Sequence, residues 1–161
     1  MTETATAGDV FTEADITERV LVIDRVFKAP PERVFAAWTH PAILVKWWGP
    51  QGYHTPECAM DMREGGAWRT VMRNAEGAAH IVSGVYREIA PPHRLVLTWG
   101  WEQEDGSRGP ETTVELDFEP APDGTRLRLR QHVFNTTENR DGHRMGWTSG
   151  LDKLDALLAA G

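Results

Sequence analysis

Residues 114–130, VELDFEPAPDGTRLRLR, read as two strands joined by a turn. Val114, Leu116 and Phe118 alternate with Glu115, Asp117 and Glu119; beyond the turn over 120–124, Leu127 and Leu129 alternate with Arg126, Arg128 and Arg130. A period of two, with one apolar and one charged face, is that of a half-buried antiparallel hairpin. Pairing across the turn sets three carboxylates against three guanidinium groups on the outer face, each exposed pair contributing about 0.2–1 kcal/mol. This structural account of the arginine stripe is preferred to a phosphate-binding ridge.

Upstream, residues 20–28 (VLVIDRVFK) form an apolar strand, and Pro30-Pro31 ends it and opens a helix over 32–38. Pro41 opens a second short helix with Ile43, Leu44 and Trp47 on its apolar face, stopped by Gly49-Pro50. From residue 57 the period is again two: Cys58, Met60 and Met62 share a face, and after Glu64-Gly65-Gly66 so do Trp68, Thr70 and Met72. Strands over 79–89 and 94–101 continue the meander, the second aligning Leu95, Leu97, Trp99 and Trp101. Downstream, Trp147, Leu151, Leu154 and Leu158 fall at intervals of four, three and four, which predicts a helix over 140–159. A long helix following six or seven strands buries its stripe only against their sheet, giving an α+β layer arrangement.

The chain of 161 residues, 40% hydrophobic, suits one compact domain over 19–161, preceded by a loosely held acidic tail over 1–18. The net charge of −7 is concentrated in that tail, which argues against nucleic acid or an anionic membrane surface as partner. No apolar run approaches the roughly 20 residues that span a bilayer, and the start lacks a secretory pattern, so a cytoplasmic protein without membrane insertion is expected.

Catalytic signatures are missing. Ser149 before Gly150 lacks the nucleophile-elbow spacing, and the histidines at 40, 54, 80, 93, 132 and 143 lack ligand spacing. Cys58, within an apolar row, reads as a small hydrophobe. No catalytic residue, metal or cofactor is expected. The notable excess is seven tryptophans, several on inward-looking faces; bulky indoles leave irregular space in a small core, so a cavity is expected as an alternative to dense packing. In the first strand Arg25 shares parity with Leu21, Ile23 and Phe27, and Asp24 with Val20, Val22 and Val26, so one of the two charges faces the apolar side. A charge on that face needs a partner, either a structural carboxylate or a ligand at a pocket mouth.

The segments RVFKAPPERVFAAWTHPAILVKWWGPQG, REGGAWRTVM, SGVYREIAPPHRLVLTW and GWTSGLDKLDALL occur in this order over residues 19–160. Together they resemble the activator-of-heat-shock-protein-ATPase branch of the START-like, polyketide-cyclase-like (SRPBCC) superfamily. The resemblance implies a helix-grip fold: a curved antiparallel sheet wrapped around the long C-terminal helix, with two short helices after strand one. It also implies a cavity between sheet and helix for a small apolar molecule. Gly146-Trp147 matches the family's helix motif, the glycine allowing close backbone approach. Gln131 stands where many relatives show a histidine, which removes one candidate acid or base.

The resulting expectation is a small apolar ligand bound by Trp68, Thr70, Met72, Trp99, Trp101, Gln131, Met145 and Trp147, with Arg25 near the mouth. One alternative is a polyketide cyclase/aromatase-like or hydrolase-like enzyme in the same cavity, using Arg25 or a pocket histidine such as His80. Another is regulation of the ninety-kilodalton heat-shock chaperone ATPase, whose full activators carry an additional N-terminal domain not seen in this sequence. Trp47 or Trp48, expected exposed at the two-helix end, suit a homodimer contact as well as a pocket lid.

Overall fold

The computed structural model describes residues 4–6, 9–11 and 18–160. Thr4–Thr6 (β1) and Asp9–Phe11 (β2) pair as a short antiparallel hairpin; the rest of the segment expected to be a loose tail lies outside the described residues. The body follows as β3 (Leu21–Phe27), α1 (Pro31–Thr39), α2 (Pro41–Leu44), β4 (His54–Met60), β5 (Ala67–Arg73), β6 (Ala79–Ala90), β7 (Arg94–Trp101), β8 (Thr112–Ala121), β9 (Gly124–His132) and α3 (Thr137–Ala160).

Seven strands form one antiparallel sheet in the order β3-β9-β8-β7-β6-β5-β4, curved around α3 in a helix-grip fold. The hairpin register is the one its charges dictate: Glu115 opposes Arg130, Asp117 opposes Arg128 and Glu119 opposes Arg126. The ion pairs then spread sideways. Arg94 of β7 reaches Glu88, Glu115 and Asp117 at 3.2, 2.7 and 2.9 Å, while Arg126 and Arg128 both turn to Asp24 of β3 at 3.3 Å. The charged face thus ties five strands together rather than one hairpin. On the opposite face Val114, Leu116, Phe118, Leu127 and Leu129 are fully buried.

α3 begins at residue 137, earlier than its apolar stripe suggests, because the Thr136 hydroxyl accepts the Asn139 N–H at 3.0 Å and caps the first turn. Its buried residues are Trp147, Gly150, Leu151, Leu154 and Leu158, the expected stripe plus one glycine. Arg25 lies on the inward parity of β3 and meets α3 there, with Asp152 at 2.7 Å and Asp155 at 3.7 Å. That pair fastens the edge strand to the helix. Among the described residues no helix is long and apolar enough to cross a membrane.

β6 bends at Gly84. A Cβ there would stand 1.9 Å from the Thr98 carbonyl oxygen and 2.7 Å from its hydroxyl. Both groups are already engaged, the carbonyl accepting the Trp68 indole N–H at 3.1 Å and the hydroxyl accepting the Val85 N–H at 2.9 Å. Glycine at this point lets two strands and an indole converge on one residue. Gly84→Ala should therefore destabilise the fold by about 1–3 kcal/mol, the usual cost of forced overpacking, read as a lowered urea midpoint at unchanged slope; an unchanged midpoint would show that the strands part without penalty.

Candidate functional site

The seven indoles form one connected cluster between sheet and helix. Trp38 of α1 meets Trp47 at 4.8 Å between ring centroids, Trp47 meets Trp48 at 5.5 Å, and Trp48 meets Trp68 at 6.2 Å and Trp99 at 5.8 Å. Trp99 in turn meets Trp147 at 5.0 Å and Trp101 at 5.6 Å. Edge-to-face contacts at these separations contribute about 0.5–1.5 kcal/mol per pair beyond area burial. The interior under Trp38, Trp48, Trp68 and Thr70 is correspondingly full, with a residual void of only ≈ 10 Å³.

The open space lies to one side. A cleft of ≈ 350 Å³ runs between the first half of α3 and the segment that follows α2. Trp47, Trp48, Gly49 and Pro50 form one wall; Trp99 and Trp101 of β7 and Met72 of β5 form the base. From α3 come Glu138, Asn139, Gly142, His143, Gly146, Trp147 and Gly150, which share one helix face by their spacing of three and four.

Three glycines give the cleft its shape. A Cβ on Gly150 would lie 3.3 Å from the Gly49 carbonyl oxygen and 3.7 Å from that of Trp47, so backbones nearly touch there. On Gly146 it would meet only the Pro50 ring, at 3.9 Å, and on Gly142 it would meet nothing within 4 Å. Helix and loop diverge like a wedge, closed at Gly150 and open at Gly142. The close approach expected at Gly146 is made one turn later.

Polar groups in the lining are few and mostly engaged. Trp101 donates its indole N–H to His143 Nε2 at 3.0 Å, and His143 Nδ1 lies 2.8 Å from the Asn139 carbonyl oxygen. An indole only donates and a carbonyl only accepts, so His143 is the neutral tautomer with its proton on Nδ1. Burial among Trp99, Trp101 and Phe134 pushes its pKa below the ordinary 6.5, against a smaller upward pull from the Asn139 carbonyl. Glu138, exposed at the rim, is the other ionisable side chain in the lining, and neither Lys nor Arg contributes to it.

Of the residues singled out in the sequence, Met72, Trp99, Trp101 and Trp147 come together around this cleft. Trp68 and Thr70 share their strand face but sit at the filled end; the Thr70 hydroxyl there accepts the Trp48 indole N–H at 3.0 Å. Gln131 is wholly buried behind the cleft, its amide nitrogen donating to the Thr112 hydroxyl at 2.8 Å and its oxygen accepting the Trp147 indole N–H at 2.7 Å. Met145 is 75% exposed: two residues before Trp147 is about 200° around the helix, and the side chain faces away. Arg25 is held by the carboxylates of α3 and is not part of the lining. His80 is an exposed residue beside Tyr53, not a pocket histidine. Trp47 and Trp48 are 1% and 3% exposed, which withdraws them from any surface dimer contact. Cys58 is half-buried, and burial pushes its thiol pKa up. Sequence reading missed His143 and the glycine row, although 138/139, 142/143, 146/147 and 150 recur at a spacing that marks a second helix face.

Among the described residues no group of three or more His, Cys, Asp or Glu side chains is placed to hold a metal. The cleft is therefore an apolar trough with one neutral imidazole and one rim carboxylate.

Comparison with known proteins agrees with the architecture. The crystal structure of the AHSA1 protein from Silicibacter pomeroyi is 39% identical, with a TM-score of 0.80 over 88% of this chain and 98% of that one. A protein from Rhodobacter sphaeroides is 32% identical (TM-score 0.76, 89% and 94% covered), and one from Chromobacterium violaceum 28% (TM-score 0.74, 86% and 96% covered). No curated protein matches the chain. The model of the family described as Activator of Hsp90 ATPase homolog 1-like protein matches residues 28–159, and the chain, with its helix-grip fold, belongs to that family.

Proposed function

We propose that the protein binds a small, flat, apolar molecule in the cleft between α3 and the segment after α2. The observation that carries this reading is a trough of ≈ 350 Å³ lined by five indoles and, along one helix, by glycines. Its volume is within the range of about 300–1,000 Å³ usual for small-molecule sites. Affinity comes from burying apolar surface, at roughly 25 cal/mol per Å² before ordering costs. The indoles are held by their neighbours and lose little freedom when a guest arrives.

The cyclase-like or hydrolase-like alternative requires an acid–base pair beside the guest. Arg25 and His80 lie outside the cleft, and both nitrogens of His143 are engaged. Regulation of the chaperone ATPase has the family's name in support and draws nothing from the cleft.

A neutral fluorescent probe, N-phenyl-1-naphthylamine, should bind saturably with one site per chain. Gly142→Leu and Gly146→Leu each fill the trough with a side chain from its floor while replacing a helix glycine, whose propensity is about 1 kcal/mol poorer than that of leucine. Probe affinity should fall at least ten-fold in both variants, with the thermal midpoint held or raised. Wild-type protein that fails to saturate, or variants that bind as well as wild type, would refute the reading.

Binding should also depend on pH through His143. The folded state resists protonation because burial disfavours the cation, which would also lose the Trp101 hydrogen bond, whereas the unfolded chain takes the proton near 6.5. More protons bound in the unfolded state means that the stabilisation is full above about 6.5 and is lost as the pH falls from there through the lower folded-state value. The thermal midpoint should be flat above about pH 7 and decline below about pH 6.5, the unperturbed histidine value, and probe affinity should fall only at the lower pH at which folded His143 takes its proton. His143→Leu should remove this limb of the profile, which a pH series on both proteins checks.

A further inference from the structure

The closed end of the cleft is made by a strap. Residues 49–54 run from Trp48 to Thr55, which are both buried, and none of them is buried itself. The Thr55 hydroxyl donates to the Trp48 carbonyl at 3.2 Å, so the two ends of the strap are tied to each other and its base is fixed. Its tip, Pro50-Gln51-Gly52-Tyr53, is a turn closed by the Tyr53 N–H on the Pro50 carbonyl at 3.1 Å. Gly49 and Gly52 stand at φ +92° and +89°, a region that glycine enters without steric cost, and they give the tip a joint on either side. Beyond the second joint Tyr53 packs against the His80 ring at 5.5 Å and stays with the sheet.

What holds the tip down is polar and thin. Ser149 Oγ on α3 accepts the Gln51 N–H at 2.7 Å. One turn on, Lys153 Nζ reaches the Pro50 and Tyr53 carbonyls at 3.4 Å each, longer than the usual range of about 2.7–3.2 Å. Burial pushes the Lys153 pKa down, as it does for an ammonium whose carbonyl contacts do not replace its water. The strap seals the wedge by resting Gly49 on Gly150 and on Met72, whose sulfur would lie 2.9 Å from a Cβ at Gly49. Met72 and Gly150 both belong to the cleft lining. Lifting the strap therefore uncovers apolar surface continuous with the trough, beyond the point where the wedge now ends.

We propose that Ser149 and Lys153 set the length of guest that the cleft accepts, by latching this strap across its closed end. Short apolar guests lie in the trough as it stands; a longer one, an aromatic group with an alkyl tail, displaces the latch and extends past Gly150. The inference rests on the cleft being a binding site and adds what limits guest size there. Neither residue lines the trough, so neither touches a short guest. The cost of releasing the latch falls on long guests alone, and a difference in cost between two guests is what selectivity is.

The test uses two neutral ethers that differ in tail length, 2-methoxynaphthalene and 2-octyloxynaphthalene, displacing N-phenyl-1-naphthylamine. They are compared on wild-type protein and on the Ser149→Ala, Lys153→Met double variant, whose replacements are both good helix formers. The ratio of octyloxy to methoxy affinity should rise at least five-fold in the variant, with methoxy affinity within two-fold of wild type. A second readout needs no variant. On wild-type protein the Gln51 amide, whose hydrogen bond is part of the latch, should exchange with solvent at least five-fold faster with the octyloxy ether bound than with the methoxy ether. An unchanged affinity ratio, or a Gln51 amide equally protected with both guests, would overturn the proposal while leaving the cleft a binding site. Failure of both ethers to bind would overturn the cleft reading, and this inference with it.

Discussion

Seven indoles share the space between one sheet and one helix, and each brings a bulky ring and a donor that dislikes burial alone. Satisfying five of the donors locks six parts of the chain together: α1 to the segment after α2, that segment to β5, β5 to β7, β7 to α3, and α3 to β9. The rings and the hydrogen bonds therefore act on the same joints. A buried polar network is stabilising only when complete, and here completeness depends on single residues such as Thr70, Gln131 and His143. The outer face of the sheet follows the same logic with charges, where Arg94, Glu115 and Asp24 each serve more than one partner. One side of the molecule is held by indoles, the other by guanidinium groups.

The fold was legible because its signals are local and periodic. The hairpin of β8 and β9 announces register as well as strands, since shifting it by one residue would turn Val114, Leu116 and Phe118 to water. The stripe Trp147, Leu151, Leu154 and Leu158 likewise needs only helical spacing. What periodicity could not give was depth. Trp68, Thr70 and Met72 share one parity, but only Met72 reaches the cleft, because closure at the other end comes from Trp48 and Trp38, which are distant in sequence.

Charges tell a similar story. Parity left open whether Arg25 or Asp24 faces inward on β3; Arg25 does, and its partner, the Asp152 and Asp155 pair, sits on α3 and was invisible until helix and strand were juxtaposed. Met145 fails for the opposite reason. Two residues from a buried tryptophan is the wrong angle on a helix, a rule the sequence already contained. His143 is four residues before Trp147 and was equally readable, yet its role emerges only once Trp101 is seen to need an acceptor.

The divergence of α3 from the loop at Gly49 separates two properties that usually trade against each other. The leucines that anchor the helix occupy one face, and Gly142, Gly146 and Gly150 occupy another. Substituting a glycine by alanine, serine or valine at the open end alters capacity without disturbing a single anchoring contact. Guest size can thus drift through small sequence changes along one row, on a scaffold whose strands and register stay constant.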